Sequence, residues 1–234
     1  MEHMKAQVCE TVAGRKFWIA TYHGHEIVVV LSGIGKVAAA VTTTVLVERF
    51  GVSEILFTGV AGSLNEAVSV GDVVIGAQFI QHDMDASPLF PRYVVPGYSE
   101  PNFYACPQMS ARLLRAAQGV LIQLDKLVSA EVLDRFKLGG ARVHEGLVLS
   151  GDQFVSSERV RETLKQAHKQ ALVVEMEGAA LAQVCKDCGV RFALMRTVSD
   201  AAGEHAAQDF TTFLNSVASR YSALIVEAYL DASS

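Results

Sequence analysis

Two acids stand two residues apart in "VVEMEGAALAQVC", residues 173–185, where an apolar run typical of a buried strand hands over to a helical pattern. Glu175 and Glu177 flank Met176 there, and a third acid, Asp200, follows Ser199 at the end of "VRFALMRTVS". A carboxyl group can pass a proton to a leaving group, accept two hydrogen bonds, or cap the free N–H groups of a helix start. Taken singly, each acid fits the last, structural role as well as a chemical one. Other apolar runs also end in polar or glycine-rich segments: Ser32 and Gly33, then "GVAG" with Gly59, Ala61 and Gly62, then "GDQF" with Gly151 and Phe154. Ligands of α/β sheets gather beyond the carboxyl ends of the strands, so these segments are expected to converge on one side.

The elements that would position them alternate. "KFWIATYHGHEIVVVLSG" reads as a hairpin turning at His23, Gly24 and His25, followed by a helix from Lys36 to about Phe50. Strands are expected in "SEILFTGVAGSLN" and "GDVVIGAQFIQHD". All five prolines fall between Asp85 and Pro107, which predicts a long irregular excursion. Beyond it come a helix over 108–122, strand "HEGLVLSG", helix "SSERVRETLKQAH", strand "ALVVEM", helix 178–188, strand "VRFALMRTVS" and a C-terminal helix over about 209–231. Such alternation predicts one layered α/β domain over residues 1–234.

With 234 residues, 50% hydrophobic and 19% charged, the chain can bury a large core. Its formal charge of −5 argues against a nucleic-acid or anionic-membrane face and leaves small molecules as the expected partners. No run approaches the roughly 18 apolar residues of a membrane span, and "MEHMKAQVCE" lacks the apolar core of a signal peptide, so a cytoplasmic protein is expected. Four unevenly spaced cysteines do not make a disulfide framework, and the single CxxC, Cys185 and Cys188, has no second pair to complete a zinc site. "GIGKVA", residues 33–38, matches a dinucleotide fingerprint, but Glu54 lies at the wrong end of the next strand to hold a ribose, and a hairpin precedes the motif. His82, Asp83 and Asp85 are metal-ligating types without a third convergent segment, so a loop role is expected and no metal.

"SGIGKVAAA", "FTGVAGSLN", "VGDVVIG", "SGDQFV", "VVEMEGAALAQVC" and "RTVSDAA", in this order, resemble the nucleoside phosphorylase/hydrolase superfamily, and within it the 5′-methylthioadenosine/S-adenosylhomocysteine nucleosidases. The resemblance runs from about Phe17 to the C-terminal helix. It implies a three-layer α/β/α domain with a central mixed sheet, usually a homodimer. The implied activity is hydrolysis of an N-glycosidic bond to release adenine, without metal or organic cofactor. Asp200 is similar to the family's general acid, which must stay protonated well above its reference value near ~3.9 to serve a purine ring nitrogen. Glu177 matches the carboxylate that binds the ribose hydroxyls and opposes the positive charge of an oxocarbenium-like transition state. Met176 would wall the ribose, Phe154 stack on adenine and the Val155 backbone read the base edge. Phe210 resembles a lid aromatic but also fits helix packing, and Glu175, Ser199, Ala61 and Gly62 complete the expected pocket.

A phosphorylase needs cationic groups for phosphate; in the hexameric purine phosphorylases an arginine stands two residues before the loop glycine, where this chain has Phe57. Water is therefore the expected nucleophile. Two departures from the family pattern stand out. Val60 replaces a common serine, and "MEHM" does not supply the opening strand and acidic stretch whose last glutamate orients the water, so Glu2 is not expected in that role. The chain is expected to start within or after the family's first helix, which leaves impaired catalysis by a nucleoside-binding protein open. The long middle segment "SPLFPRYVVPGY" leaves a different purine nucleoside, such as futalosine, open as well.

Overall fold

A computed structural model describes residues 5–127, 129–136, 138–200, 202, 213 and 217–232. Strands β1 (Lys5–Val12), β2 (Arg15–Tyr22) and β3 (His25–Val30) form an antiparallel meander. Its turns, Ala13–Gly14 (φ 48° and 75°) and His23–Gly24 (φ 47° and 82°), hold two successive residues at positive φ, the backbone that matches the twist of a tight hairpin. The hairpin expected around His23 is thus present, and β1 extends it. Cross-strand pairing rather than burial makes β1 a strand, since Val8, Cys9 and Thr11 are exposed and give no alternating signal.

The second sheet contains β4 (Glu54–Ser63), β5 (Val73–Gln81), β6 (Phe103–Tyr104), β7 (Val143–Ser150), β8 (Ala171–Glu175) and β9 (Arg191–Asp200). The order is β6-β5-β7-β8-β4-β9, and β5 also pairs with β9, so five strands close into a ring with β6 as a side branch. β5–β7, β7–β8 and β4–β9 are parallel, whereas β4–β8 and β5–β9 are antiparallel. The sheet is mixed, as expected. Between Asp85 and Pro107 only β6 is regular, which agrees with the proline-rich reading.

Helices α1 (Lys36–Glu48), α2 (Pro107–Leu121), α3 (Leu124–Leu127), α4 (Ala130–Arg135), α5 (Glu158–Ala167), α6 (Gly178–Cys188) and α7 (Ser219–Asp231) complete the described elements. Most boundaries lie within two or three residues of the expected ones, while the short α3 and α4 carry no pattern of their own. The expected start of the last helix, near residue 209, lies outside the described residues.

Period-two alternation explains the layers. Val74 on β5 and Leu194 on β9 face a core shared with Leu46 of α1 and Ala179, Leu181 and Ala182 of α6. Their neighbours Val73, Ile75, Ala193 and Met195 face the opposite core, with Leu113 and Ala117 of α2 and Tyr221 and Ile225 of α7. On α2, Met109, Leu113, Ala117 and Val120 recur at helical spacing and are all buried. Each large apolar side chain removed from water in this way contributes about 1.5–3 kcal/mol. Helices therefore cover both faces of the mixed sheet in three layers.

Strand register gathers the strand ends. Gln81 of β5 lies opposite Ser150 of β7, and Ser150 opposite Glu175 of β8. One residue back, Val174 lies opposite Gly62 of β4, and Gly62 opposite Asp200 of β9. With neighbouring strands ~4.8 Å apart, Asp200 stands about 10 Å from the β8 terminus. Glu175, Glu177 and Asp200 accordingly share one rim.

Candidate active site

Asp200, the last residue of β9, is 3% exposed. Its Oδ2 accepts a hydrogen bond from the Ser199 hydroxyl at 2.7 Å and its Oδ1 one from the Ala202 N–H at 2.7 Å. Ser199 is buried, with its hydroxyl 3.4 Å from the Ala61 carbonyl. The carboxylate comes this close to β4 because the facing residue is Gly62: a Cβ there would lie 2.9 Å from Asp200 Oδ1 and 2.9 Å from the Ala202 methyl. Val155 belongs to the small core that contains Ala202, whereas Phe154 next to it is 43% exposed.

At the end of β8 the two glutamates separate in role. Glu175 is buried, and its oxygens accept from the Gly178 N–H (2.9 Å), the Glu177 N–H (3.1 Å), the Ser150 hydroxyl and Arg196. It caps α6 and neutralises a buried guanidinium, so its oxygens are occupied from within. Glu177 keeps 15% side-chain exposure; its Oε1 accepts the Gly35 N–H at 2.8 Å and its Oε2 lies 3.7 Å from Arg196 Nη2. Burial pushes the Glu177 carboxyl above its ordinary range; Arg196 pulls it back, Glu175 adds to the rise, and the Gly35 and Met176 N–H groups oppose it. Met176 between them is half-buried.

Arg196 was not among the expected site residues. It is 1% exposed, its Nε donates to Glu175 at 3.1 Å, and its guanidinium lies 4.4 Å from the centre of the Phe57 ring. A charged residue inside the apolar strand "RFALMRTVS" was the available signal, because a buried arginine requires a buried acid. Lys36 and Asp152 were not among the expected site residues either, and with Asp83, expected only in a loop role, they form a polar cluster around the start of α1. Within the segment considered for a metal, Asp83 engages Lys36, and Asp85 accepts the Ser87 N–H and lies 3.5 Å from Arg92. Among the described residues no group of three or more His, Cys, Asp or Glu could hold a metal ion. Cys185 is a buried free thiol, pushed up to about 12 by burial, and Cys188 is exposed and free. Phe210 lies outside the described residues.

This rim, with one carboxylate sealed at a strand end and a second partly open at a helix start, is set in a chain whose residues 2–231 match the phosphorylase superfamily model. The chain belongs to the phosphorylase superfamily. A 5′-methylthioadenosine/S-adenosylhomocysteine nucleosidase of Halalkalibacterium halodurans is 37% identical over 204 residues, covering 87% of this chain and 80% of the relative. Among solved structures, futalosine hydrolase of Helicobacter pylori superposes with a TM-score of 0.83 at 32% identity, over 98% of this chain and 89% of the other. The nucleosidase of Neisseria meningitidis, in complex with methylthio-immucillin-A, gives a TM-score of 0.83 at 31% identity, over 99% and 91%. Membership in this family accounts for the α/β layering.

Proposed function

We propose that this chain, as one domain over residues 1–234, hydrolyses the N-glycosidic bond of 5′-methylthioadenosine and S-adenosylhomocysteine, releasing adenine and the thioribose. The observation that carries this reading is the shared rim of Asp200 and Glu177, in a chain similar to nucleosidases for that substrate pair. In this reading Asp200 protonates a purine ring nitrogen as the C–N bond breaks, Glu177 accepts hydrogen bonds from the ribose hydroxyls, and water adds to the anomeric carbon. Phe154 stacks on the base, Val155 reads its edge through the backbone and Met176 walls the sugar.

Hydrolysis rather than phosphorolysis is supported by the fate of Arg196. Its charge is held by Glu175, with Glu177 nearby and the Phe57 ring against its plane, so this guanidinium is not available to a phosphate dianion. A homodimer in the cytoplasm completes the reading. Exposed Leu31, Ile34 and Val37, close together in sequence, support the dimer, and four free thiols suit a reducing compartment. The thioribose product would serve recovery of methionine sulfur. The likeness to futalosine hydrolase favours futalosine as a second substrate candidate.

Release of free base from methylthioadenosine, adenosylhomocysteine and futalosine, with and without phosphate, tests the assignment. Fastest release from the two thionucleosides, with no acceleration by phosphate, is expected. Asp200→Asn should lower kcat by roughly 10²–10⁴ while leaving adenine affinity in place. Undiminished turnover in that variant refutes the acid assignment, faster futalosine cleavage selects the second substrate, and adenine binding without turnover would make the chain a binding protein.

A further inference from the structure

The start of α1 is capped by side chains from elsewhere in the chain. Its N-terminal flanking residue is glycine, its first turn contains no acid, and no side chain of its own N-cap bonds to it. Two other loops supply the acceptors. The Gly35 N–H donates to Glu177 Oε1 at 2.8 Å, and the Lys36 N–H donates to Asp152 Oδ1 at 2.7 Å. A closed ring secures the second contact: the Asp152 N–H donates to Asp83 Oδ2 at 2.9 Å, and Lys36 Nζ donates to Asp83 Oδ1 at 2.7 Å. Lys36 Nζ also reaches Gln81 Oε1 at 3.2 Å, and Gln81 Nε2 donates to Gln183 Oε1 on α6 at 2.8 Å. Burial works against the Asp83 charge, yet the Lys36 and Asp152 bonds outweigh it and hold the carboxyl below its ordinary range.

We propose that Lys36, Asp83 and Asp152 form a positioning latch that holds the start of α1 so that the Gly35 N–H fixes one oxygen of Glu177, leaving the other to the sugar. This deepens the nucleosidase reading above and rests on it for the identity of the sugar. The physical reason is local. Lys36 binds both acids, Asp83 through its ammonium and Asp152 through its backbone N–H, and the ammonium holds Asp83 where its other oxygen accepts the Asp152 N–H. Without it the ring opens, α1 loses its hold at Lys36, and Glu177 loses the N–H that favours its ionised form. Among the described residues, the other charged groups facing Glu177 are Arg196 from β9 and Glu175 from β8, and neither belongs to the ring.

Lys36→Met tests the latch, with Lys36→Arg as the conservative partner and Asp83→Asn as the alternative if Lys36→Met does not fold. Expected for Lys36→Met is a fall of about 10–100-fold in kcat/KM for the nucleoside, a shift of its acid limb to higher pH, and adenine affinity within twofold of the parent. Lys36→Arg should restore a large part of the loss. An unmoved acid limb, or adenine affinity lost in proportion, overturns the proposal and leaves the ring a merely structural brace. Should the parent cleave none of the nucleosides, the nucleosidase reading fails by itself. The latch is then judged by carboxyl carbon-13 resonances assigned with Glu177→Gln: the Glu177 midpoint must rise in Lys36→Met, and an unchanged midpoint sinks it.

Discussion

Glu177 occupies a position that costs the fold stability. Burial raises its pKa above the unfolded-state value, and Glu175 adds to this, while Arg196 and the Gly35 N–H only partly offset the rise. An acid whose folded pKa is raised binds its proton more tightly in the native state, so stability falls as pH climbs from the unfolded value through the folded one. At neutral pH the ionised side chain is therefore a burden. Glu177→Gln should melt above the parent at pH 7 in calorimetry, with the difference shrinking as pH falls through the raised folded value and gone below the unfolded value of about 4.3, while turnover drops by roughly 10²-fold or more. A lower melting temperature at pH 7 would show that the lost attraction to Arg196 outweighs desolvation. The placement of Asp200 and Glu177 at the ends of apolar runs was legible in the sequence, whereas the roles expected of them came from the resemblance to the nucleosidases. Arg196 was not legible: its partner is 21 residues away in Glu175, and only the fold reveals that the two meet.

The β8–α6 junction is the element on which the site turns. Glu175 stitches together the ends of β7 (through Ser150), β8, β9 (through Arg196) and the first N–H groups of α6. Glu175→Gln leaves the buried Arg196 charge without its hydrogen-bonded carboxylate and with Glu177 3.7 Å away, and urea denaturation should report a loss of roughly 3–5 kcal/mol. The double variant Glu175→Gln with Arg196→Met should lose markedly less than the sum of the two single changes, because the unpaired charge goes with its partner. Additive losses would mean the pair is not coupled. Helical and strand periods carried most of these elements into view: α6 was expected and found at 178–188, and the prolines correctly marked the irregular stretch before α2. What stayed hidden has one cause. β1 has exposed residues and is defined by its partner strand, and the start of α1 is capped by Asp152 and Glu177 from distant loops, so neither shows in a local window.

At the scale of the whole molecule, several of the exposed large apolar residues among those described, such as Trp18, Tyr104 and Ile122, lie away from the site, but three flank it. Leu31, Ile34 and Val37 are exposed on both sides of Gly35, whose N–H touches Glu177. Burial of such a patch against a second copy would tie assembly to the sugar site. Ile34→Asp combined with Val37→Asp should yield a monomer in sedimentation and raise KM for the nucleoside, while the folded state persists in circular dichroism. A variant that still sediments as a dimer would move the interface elsewhere. The closure of β5 onto β9 has another consequence, for how this protein can be altered. In an open sheet an inserted residue can be absorbed at a free edge, but a hoop of five strands passes any slip from neighbour to neighbour until it returns to its origin. Redesign for another nucleoside is therefore easiest in the loops beyond the rim, and a length change inside the hoop's strands has to be taken up locally by a bulge, as already happens at Ala61/Gly62, Gly76/Gln78 and Leu147/Val148.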